Sequence, residues 1–117
     1  MNFKVTATPN GKGKVKITVT RPDGTSYVHA DKAKEGRFTH YAVVTQEITQ
    51  ASIDRHILRE KRHFNGADVD RKDLESRIGE THTFVQMAIK ESTAKKSGSC
   101  SPYAEAKSVE VFEVEAA

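Results

Sequence analysis

Hydrophobic and polar residues alternate through the first part of the chain, and this alternation predicts strands joined by tight turns. The clearest run is Val15, Ile17 and Val19, which alternate with lysines and threonines. Asn10-Gly11 before this run and Arg21–Thr25 after it have the asparagine, proline and glycine residues typical of turns. We expect antiparallel strands over residues 3–8, 14–20, 26–30 and 38–48, with an exposed charged segment at 31–36. The fourth strand is rich in β-branched and aromatic residues, so we expect it to be central.

The hydrophobic period changes at Thr49, and the new period predicts a helix. The residues of its inward stripe recur at helical intervals: Ile53, Ile57, Glu60 and Phe64. Thr49 or Ser52 can cap the start of this helix. Asn65-Gly66 is expected to end it, because glycine readily adopts the left-handed conformation found after helices.

A second helix is expected to begin at Asp70, an N-cap candidate, with Asp73 as a favourable charge in its first turn. Its predicted inward stripe is Leu74, Ile78, Thr81, Val85 and Ala88 or Ile89, widened by Phe84 and Met87. Gly79 lies inside this stretch, where glycine costs about 1 kcal/mol relative to alanine. The small polar residues of Lys95–Pro102 predict a mobile loop, and Ser108–Glu115 alternates again as a final strand.

Together these elements predict an α+β fold. Four N-terminal strands and a C-terminal strand form one antiparallel sheet, and two helices pack on one of its faces. The length of 117 residues is about that of one domain. We therefore expect a single domain, residues 1–117, with a sheet part (1–48), two helices (49–94), a flexible loop (95–107) and a final strand (108–116).

The composition argues against membrane-spanning, secreted and disulfide-bonded classes of protein. Hydrophobic residues make up 36% and charged residues 30% of the chain, which predicts a small core and favours a homo-oligomer. No run approaches the roughly 18 apolar residues of a membrane-spanning helix, and Met1 leads directly into the first predicted strand rather than a signal peptide. The single cysteine, Cys100, excludes an internal disulfide. We expect a soluble protein of the host-cell cytoplasm without a membrane partner.

Basic residues are concentrated in the N-terminal strands and the first helix, and the net charge of +3 permits an anionic partner without requiring one. On the helix, Arg55, Arg59 and Arg62 lie at i, i+4 and i+7 and therefore share one stripe. A guanidinium group matches two phosphate oxygens at once, so the stripe predicts a phosphate-binding surface. The alternative is a solvated helix face on which Asp54 and Glu60 are the local partners.

Three further residues are candidates for holding a base or a ribose. Arg37, Tyr41 and Phe64 combine aromatic rings with neighbouring basic groups, and a base can stack on a ring while an arginine contacts its phosphate. Tyr41 is expected on an exposed face. The alternative is that the phenylalanines, including Phe38 and Phe64, fill a small core.

Catalytic and metal-binding patterns are weak in this sequence. His56, Glu60 and His63 share a helical stripe, but two metal-binding histidines on a helix usually lie four residues apart. Cys100 lies in the polar loop with no helix N-terminus to activate its thiol. The motifs G-x-x-x-x-G-K-[ST], G-x-G-x-x-G and G-x-S-x-G do not occur. We therefore expect no enzymatic activity, no metal and no cofactor.

The segment Arg37-Phe38-Thr39-His40-Tyr41-Ala42-Val43-Val44, which follows the Arg21–Thr25 turn, resembles part of small bacteriophage proteins of mostly unassigned role. The likeness covers residues 1–48. With two helices after this part, the whole chain is also similar to phage anti-Thoeris proteins. This resemblance implies an anti-defence protein that acts as a sponge, binding cyclic ADP-ribose-type and cyclic oligonucleotide immune signals without degrading them. It assigns no ligand contact to any position of this chain.

We therefore expect a non-enzymatic phage-type protein that binds and sequesters a nucleotide-derived anionic signal, with Arg55, Arg59 and Arg62 on its phosphates. Two alternatives remain open. One is an anti-CRISPR-like inhibitor that uses the same basic surface to contact its protein target. The other is a small nucleic-acid-binding module, whose affinity would fall steeply with salt. The mild net charge argues against strong nonspecific DNA binding.

Overall fold

A computed structural model describes residues 3–63 and 71–116, and of residues 60–63 the backbone alone. The described elements, in chain order, are β1 (Lys4–Pro9), β2 (Lys14–Thr20), β3 (Ser26–Lys34), β4 (His40–Glu47), α1 (Gln50–His63), α2 (Arg71–Glu75), β5 (Thr81–Ala88), α3 (Glu91–Lys95), β6 (Glu105–Glu113) and β7 (Glu115–Ala116). None of the helices in this described part of the chain is long and apolar enough to cross a membrane.

The fold class is α+β, as predicted, but the strands form two sheets rather than one. The first sheet has the strand order β3-β2-β1-β7, and the second has the order β5-β4-β6. The fourth strand is central in the second sheet, which confirms that part of the prediction. The C-terminal end departs from the expected antiparallel arrangement, because β7 runs parallel to β1 with Glu115 opposite Thr6.

The turn between β2 and β3 forms as its sequence predicts. The Arg21 N–H donates to Thr25 O over 2.7 Å, and Gly24 adopts a φ of 92°. The Asp23 carboxylate accepts hydrogen bonds from the hydroxyl and the N–H of Thr25, and these bonds lower the pKa of Asp23. Hydrogen bonds between residues within four positions of one another therefore stabilise this turn.

The third strand is longer than expected. It continues past Ala30 to Lys34, and its register with β2 shifts so that Ala33 lies opposite Val15. Ala33 is buried as a result. The segment at 31–36, predicted to be exposed and charged, is thus partly a strand with one residue in the core.

The described chain divides into two compact units, each with its own hydrophobic cluster. Unit 1 comprises residues 3–43, 85–97 and 110–116, and unit 2 comprises residues 44–63, 71–84 and 98–109. The cluster of unit 1 is Val5, Ile17, Val19, Ala33, Tyr41 and Val43. The cluster of unit 2 is Ile48, Ile53, Ile57, Leu74 and Ala104. The single domain expected from the chain length stays a prediction.

Reciprocal hydrogen bonds between Thr49 and Ser52 cap α1, which confirms the predicted capping residues. The Thr49 N–H donates to Ser52 Oγ over 2.9 Å, and the Ser52 N–H donates to Thr49 Oγ1 over 3.1 Å. Ser52 is fully buried, and its Oγ lies 2.7 Å from Tyr103 O. Ile53 and Ile57 are buried as predicted. The start of α1 is therefore stabilised by hydrogen bonds within its cap and by a hydrogen bond from Ser52 to Tyr103, in the segment before β6.

The second helix is much shorter than predicted. It covers only Arg71–Glu75, and residues Thr81–Ala88 form a strand, so the predicted helical stripe through this region is wrong. Gly79 adopts a φ of 97°, which a right-handed helix does not contain. The following threonine, phenylalanine and valine residues favour a strand. Ile78, predicted to face inward, is exposed, and of the two alternatives Ala88 and Ile89 it is Ala88 that is buried.

Several predictions lie outside the described residues. They concern Phe64, the Asn65-Gly66 helix end and the Asp70 N-cap, together with the side chains of Glu60, Arg62 and His63. The loop expected over 95–107 is shorter in the structure, because a third helix ends at Lys95 and β6 already begins at Glu105.

Candidate functional site

The exposed side of α1 presents one hydrophobic side chain between two arginines. Arg55, Leu58 and Arg59 are all exposed, and their spacing of i, i+3 and i+4 places them on one surface, here termed the basic face. Leu58 keeps 61% of its surface exposed to solvent. The spacing of the arginines in the sequence predicted this surface, whereas no sequence pattern singled out Leu58.

Asp54, one of the expected local partners of the arginine stripe, pairs with a different residue. Arg71 Nη1 donates to Asp54 Oδ1 over 2.7 Å, and Gln50 Nε2 donates to the same oxygen over 3.0 Å. These hydrogen bonds hold the pKa of Asp54 below its ordinary value, and Asp54 in turn raises the pKa of Arg71. In the alternative of a solvated helix face, Asp54 was one of two local partners, but its carboxylate pairs with Arg71 of α2 instead. The side chain of Glu60, the other partner, lies outside the described residues.

Arg55 lies close enough to an acidic residue, Glu105, to influence its pKa, whereas Arg59 has no acidic partner among the described residues. Lys107 Nζ lies 2.8 Å from Glu105 Oε1, and this contact is the main reason that the pKa of Glu105 is lowered, with Arg55 a minor contributor. Arg59 forms no hydrogen bond or ion pair with another residue of the described chain. The basic face can therefore bind a carboxylate or a phosphate without first releasing an internal partner of Arg59.

The other predicted ligand-binding residues are not all on this face. Arg62 belongs to the last turn of α1, but its side chain and the whole of Phe64 are outside the described residues. Arg37 and Tyr41 belong to unit 1. Arg37 is exposed, and its guanidinium carbon lies 5.4 Å from the centroid of the Phe38 ring.

Tyr41 is a core residue rather than the exposed residue that was expected. Only 5% of its surface is exposed. Its ring is stacked at 5.5 Å on Phe112, and its hydroxyl donates to Phe3 O over 3.3 Å. Burial raises the pKa of the Tyr41 hydroxyl. With its ring and hydroxyl already engaged inside unit 1, Tyr41 is poorly placed to stack on a base.

Cys100 contacts an amide rather than a group that could accept its proton. Gln46 is buried, and its Oε1 accepts hydrogen bonds from the Cys100 N–H over 2.9 Å and from the Cys100 thiol over 3.4 Å. An amide oxygen accepts a hydrogen bond but is not a base, so this contact does not generate a thiolate. Across residues 3–59 and 71–116, no three His, Cys, Asp or Glu side chains are grouped as metal ligands.

Unit 1 contains a cavity that the sequence analysis did not predict. Its volume is about 410 Å³, and its lining is mainly hydrophobic, with Glu35, Thr39, His40 and Glu113 as polar members. The lining comes from β1, β2, the segment after β3, the first residue of β4 and the C-terminal segment from Glu113 to Ala116, so residues far apart in sequence meet there. No local pattern of residues could therefore have indicated it.

Comparisons of the chain with protein-family models, with curated proteins and with solved structures found no match. The chemistry of the basic face and of the cavity is therefore the starting point for any statement about function.

Proposed function

We propose that this protein is a non-enzymatic binding protein whose basic face contacts an acidic surface of a partner protein. The observation that carries the proposal is the position of Leu58 between Arg55 and Arg59, all three exposed on one side of α1. Such a face combines a hydrophobic side chain that can be buried with two cations that can form hydrogen-bonded ion pairs. A helix docks into a groove through this i, i+3, i+4 spacing.

The internal ion pairs of unit 2 leave the basic face available. Asp54 is held by Arg71, and Glu105 is held by Lys107. Each guanidinium group presents a planar set of donors that matches a carboxylate in a bidentate arrangement. An acidic partner would therefore gain new ion pairs at Arg59 without competing with one inside the described part of this chain.

The biological role we propose is that of a phage-type anti-defence protein that inhibits a defence protein of its host. Support for this role comes from the resemblance of the segment at 37–44 to small bacteriophage proteins. An inhibitor that acts by contact needs no catalytic group of its own.

A second candidate is a nucleotide-derived anionic signal, which the resemblance to anti-Thoeris proteins implies. Arg55 and Arg59 lie one helical turn apart, a spacing that suits the two phosphate groups of a pyrophosphate. The outer face of a helix is convex, however, and tight binding of a small molecule needs contacts on several sides. A second copy of the chain would have to supply the opposing surface, so this candidate requires the expected homo-oligomer.

Site-specific photo-crosslinking tests the first candidate. A photoreactive amino acid replaces Leu58 in one preparation and Lys72, an exposed residue of α2, in a matched control preparation. Each protein is irradiated in an extract of bacterial host cells. We expect a crosslinked protein from position 58 only, because only that position lies between the two arginines.

Competition gives the test its specificity. Excess unlabelled wild-type protein should suppress the crosslink, and the Arg55→Glu/Arg59→Glu variant should not.

Native mass spectrometry with cyclic ADP-ribose and cyclic oligonucleotides, on wild-type and Arg59→Ala protein, tests the second candidate. A nucleotide that binds only the wild type and is released unchanged by heat supports the sponge. Identical products from positions 58 and 72, with no nucleotide bound, contradict both candidates.

A further inference from the structure

The cavity of unit 1 shares no residue with the basic face of unit 2 and has no part in the proposed function. Its volume of about 410 Å³ lies within the range of small-molecule pockets, roughly 300–1,000 Å³. Hydrophobic side chains form most of its walls, among them Ala7, Val15, Ile17, Phe38 and Val114. Such walls favour a ligand with a hydrophobic body.

Two carboxylates give the cavity a negative character. Glu35 and Glu113 both line it, and neither side chain forms an ion pair with another described residue. Arg37 is close to Glu35 in sequence, but its guanidinium group lies over the Phe38 ring, with 5.4 Å between the guanidinium carbon and the ring centroid. The two negative charges are therefore not neutralised within the described part of unit 1.

The other two polar side chains of the lining, Thr39 and His40, bond to one another. Thr39 Oγ1 lies 3.0 Å from Ile89 O and 2.8 Å from His40 Nδ1. A hydroxyl group has one proton and a carbonyl can only accept, so Thr39 donates to Ile89 O and His40 Nδ1 donates to Thr39. The hydroxyl proton of Thr39 and the Nδ1 proton of His40 are therefore already used, whereas the carboxylates of Glu35 and Glu113 remain as acceptors.

We propose that this cavity binds a small organic cation, whose ammonium group is held by Glu35 and Glu113 while its hydrophobic body packs against the cavity walls. An anion would meet two like charges. A bare metal ion would meet hydrophobic walls over most of a cavity far larger than itself. An amine with a hydrophobic body satisfies both the acceptors and the walls.

Three probes of similar shape and different charge test the proposal. They are 2-phenylethylammonium, the neutral 2-phenylethanol and the anionic 3-phenylpropanoate, each titrated into isotopically labelled wild-type protein. Methyl resonances of Ala7, Val15 and Val114 report on the cavity by NMR. We expect saturable shifts with the amine, affinity for the alcohol about tenfold lower, and no saturation with the carboxylate.

Charge-removing variants identify the residues responsible. Glu35→Gln and Glu113→Gln should each weaken binding of the amine about fivefold, whereas Glu110→Gln, an exposed residue of the same unit, should leave it unchanged. Circular dichroism checks that each variant is folded. Equal affinity for the three probes, no saturable shift with the amine, or unchanged affinity in both variants overturns the proposal. Arg59→Ala should retain amine binding, so a failure here and a failure of the proposed function remain distinguishable.

Discussion

The two units differ in the shape and the charge of the surfaces that they offer. Unit 1 contains a concave hydrophobic cavity lined by Glu35 and Glu113, whereas unit 2 presents Leu58 between two arginines on the outside of a helix. The net charge of +3 for the whole chain indicates neither the two carboxylates of the cavity nor the two arginines of the basic face. In a chain with many charged residues and a small total charge, the class of partner has to be inferred from local charge.

The units also differ in what holds them together. Unit 1 is organised by the register of adjacent strands, with Val5 opposite Val19 and Ala7 opposite Ile17 in the β1–β2 pair. Unit 2 depends on a capped helix that packs its buried isoleucines against Leu74 and Ala104. The hydrophobic cluster of unit 1 is therefore built mainly from strand residues, whereas that of unit 2 is built around α1, although unit 2 also contains residues of β4, β5 and β6.

Truncation of one isoleucine in each unit should have the largest effect on stability. Ile17 of unit 1 and Ile53 of unit 2 are both almost fully buried, so replacing either with alanine leaves a cavity in the core. We expect Ile17→Ala and Ile53→Ala each to lower the free energy of unfolding by about 2–5 kcal/mol. Denaturant titration measures this loss.

Hydrogen exchange in the same variants shows whether the units open separately. Each substitution should accelerate exchange most in its own unit, because local opening follows the loss of local contacts. Ile78→Ala is the matched control, since Ile78 is exposed, and it should change the free energy of unfolding by less than about 0.5 kcal/mol. Uniform acceleration across both units would contradict the independence of the two cores.

Removal of the buried cap of α1 should have the next largest effect, and only unit 2 contains such a cap. Ser52→Ala removes the hydroxyl that accepts from the Thr49 N–H and contacts Tyr103 O. We expect a loss of about 0.5–2 kcal/mol in the free energy of unfolding, measured by thermal or denaturant unfolding. Ser108→Ala is the control, because Ser108 is an exposed serine of the same unit whose side chain forms no hydrogen bond with another described residue. Equal effects of the two substitutions would show that the cap does not stabilise α1.

The features that the sequence predicted are those coded by neighbouring residues. The β2–β3 turn and the cap of α1 each depend on residues within a few positions of one another, and both form as expected. The region after α2 could not be predicted in this way, because a helical and a strand period fit Thr81–Ala88 almost equally well. The positive φ of Gly79 decides against the helix, and only the structure shows it.

The same contrast holds for the candidate sites. Arg55 and Arg59 were predicted because they are one turn apart on a single helix, and both are exposed. The exposure of Tyr41 was predicted wrongly, since its burial depends on Phe3 and Phe112, which are distant in sequence. The cavity brings together strands from both ends of the chain, so its assembly is a property of the tertiary fold.

Truncation on the basic face should affect stability far less than truncation in the core. Leu58→Ala removes a hydrophobic side chain of nearly the same size as Ile53, but Leu58 is 61% exposed and leaves little unfilled space. We expect a change of less than about 0.5 kcal/mol in the free energy of unfolding, measured beside Ile53→Ala. A loss as large as that of Ile53→Ala would mean that Leu58 supports the fold, and the argument for an available binding surface would fail.

The smallest expected effect concerns two exposed carboxylates, one in each unit, whose pKa values are both lowered. Hydrogen bonds from Thr25 lower the pKa of Asp23, and those from Arg71 and Gln50 lower the pKa of Asp54. A lowered pKa in the folded state means that the contribution to stability is present above the unfolded-state value, near 3.8, and is lost as the pH falls through the folded-state value. Asp23→Asn and Asp54→Asn should therefore each flatten the acid side of the stability profile.

Salt distinguishes the two carboxylates. The partner of Asp54 is a cation, so about 1 M salt should screen the pair and reduce the difference between wild-type and Asp54→Asn protein. The main partner of Asp23 is the neutral side chain of Thr25, so the difference between wild-type and Asp23→Asn protein should persist in the same salt. Denaturant unfolding between about pH 2 and 6, at low and high salt, measures both differences. If salt changed the two differences equally, the stabilisation at Asp54 would come from hydrogen-bond geometry rather than from the opposite charge of Arg71.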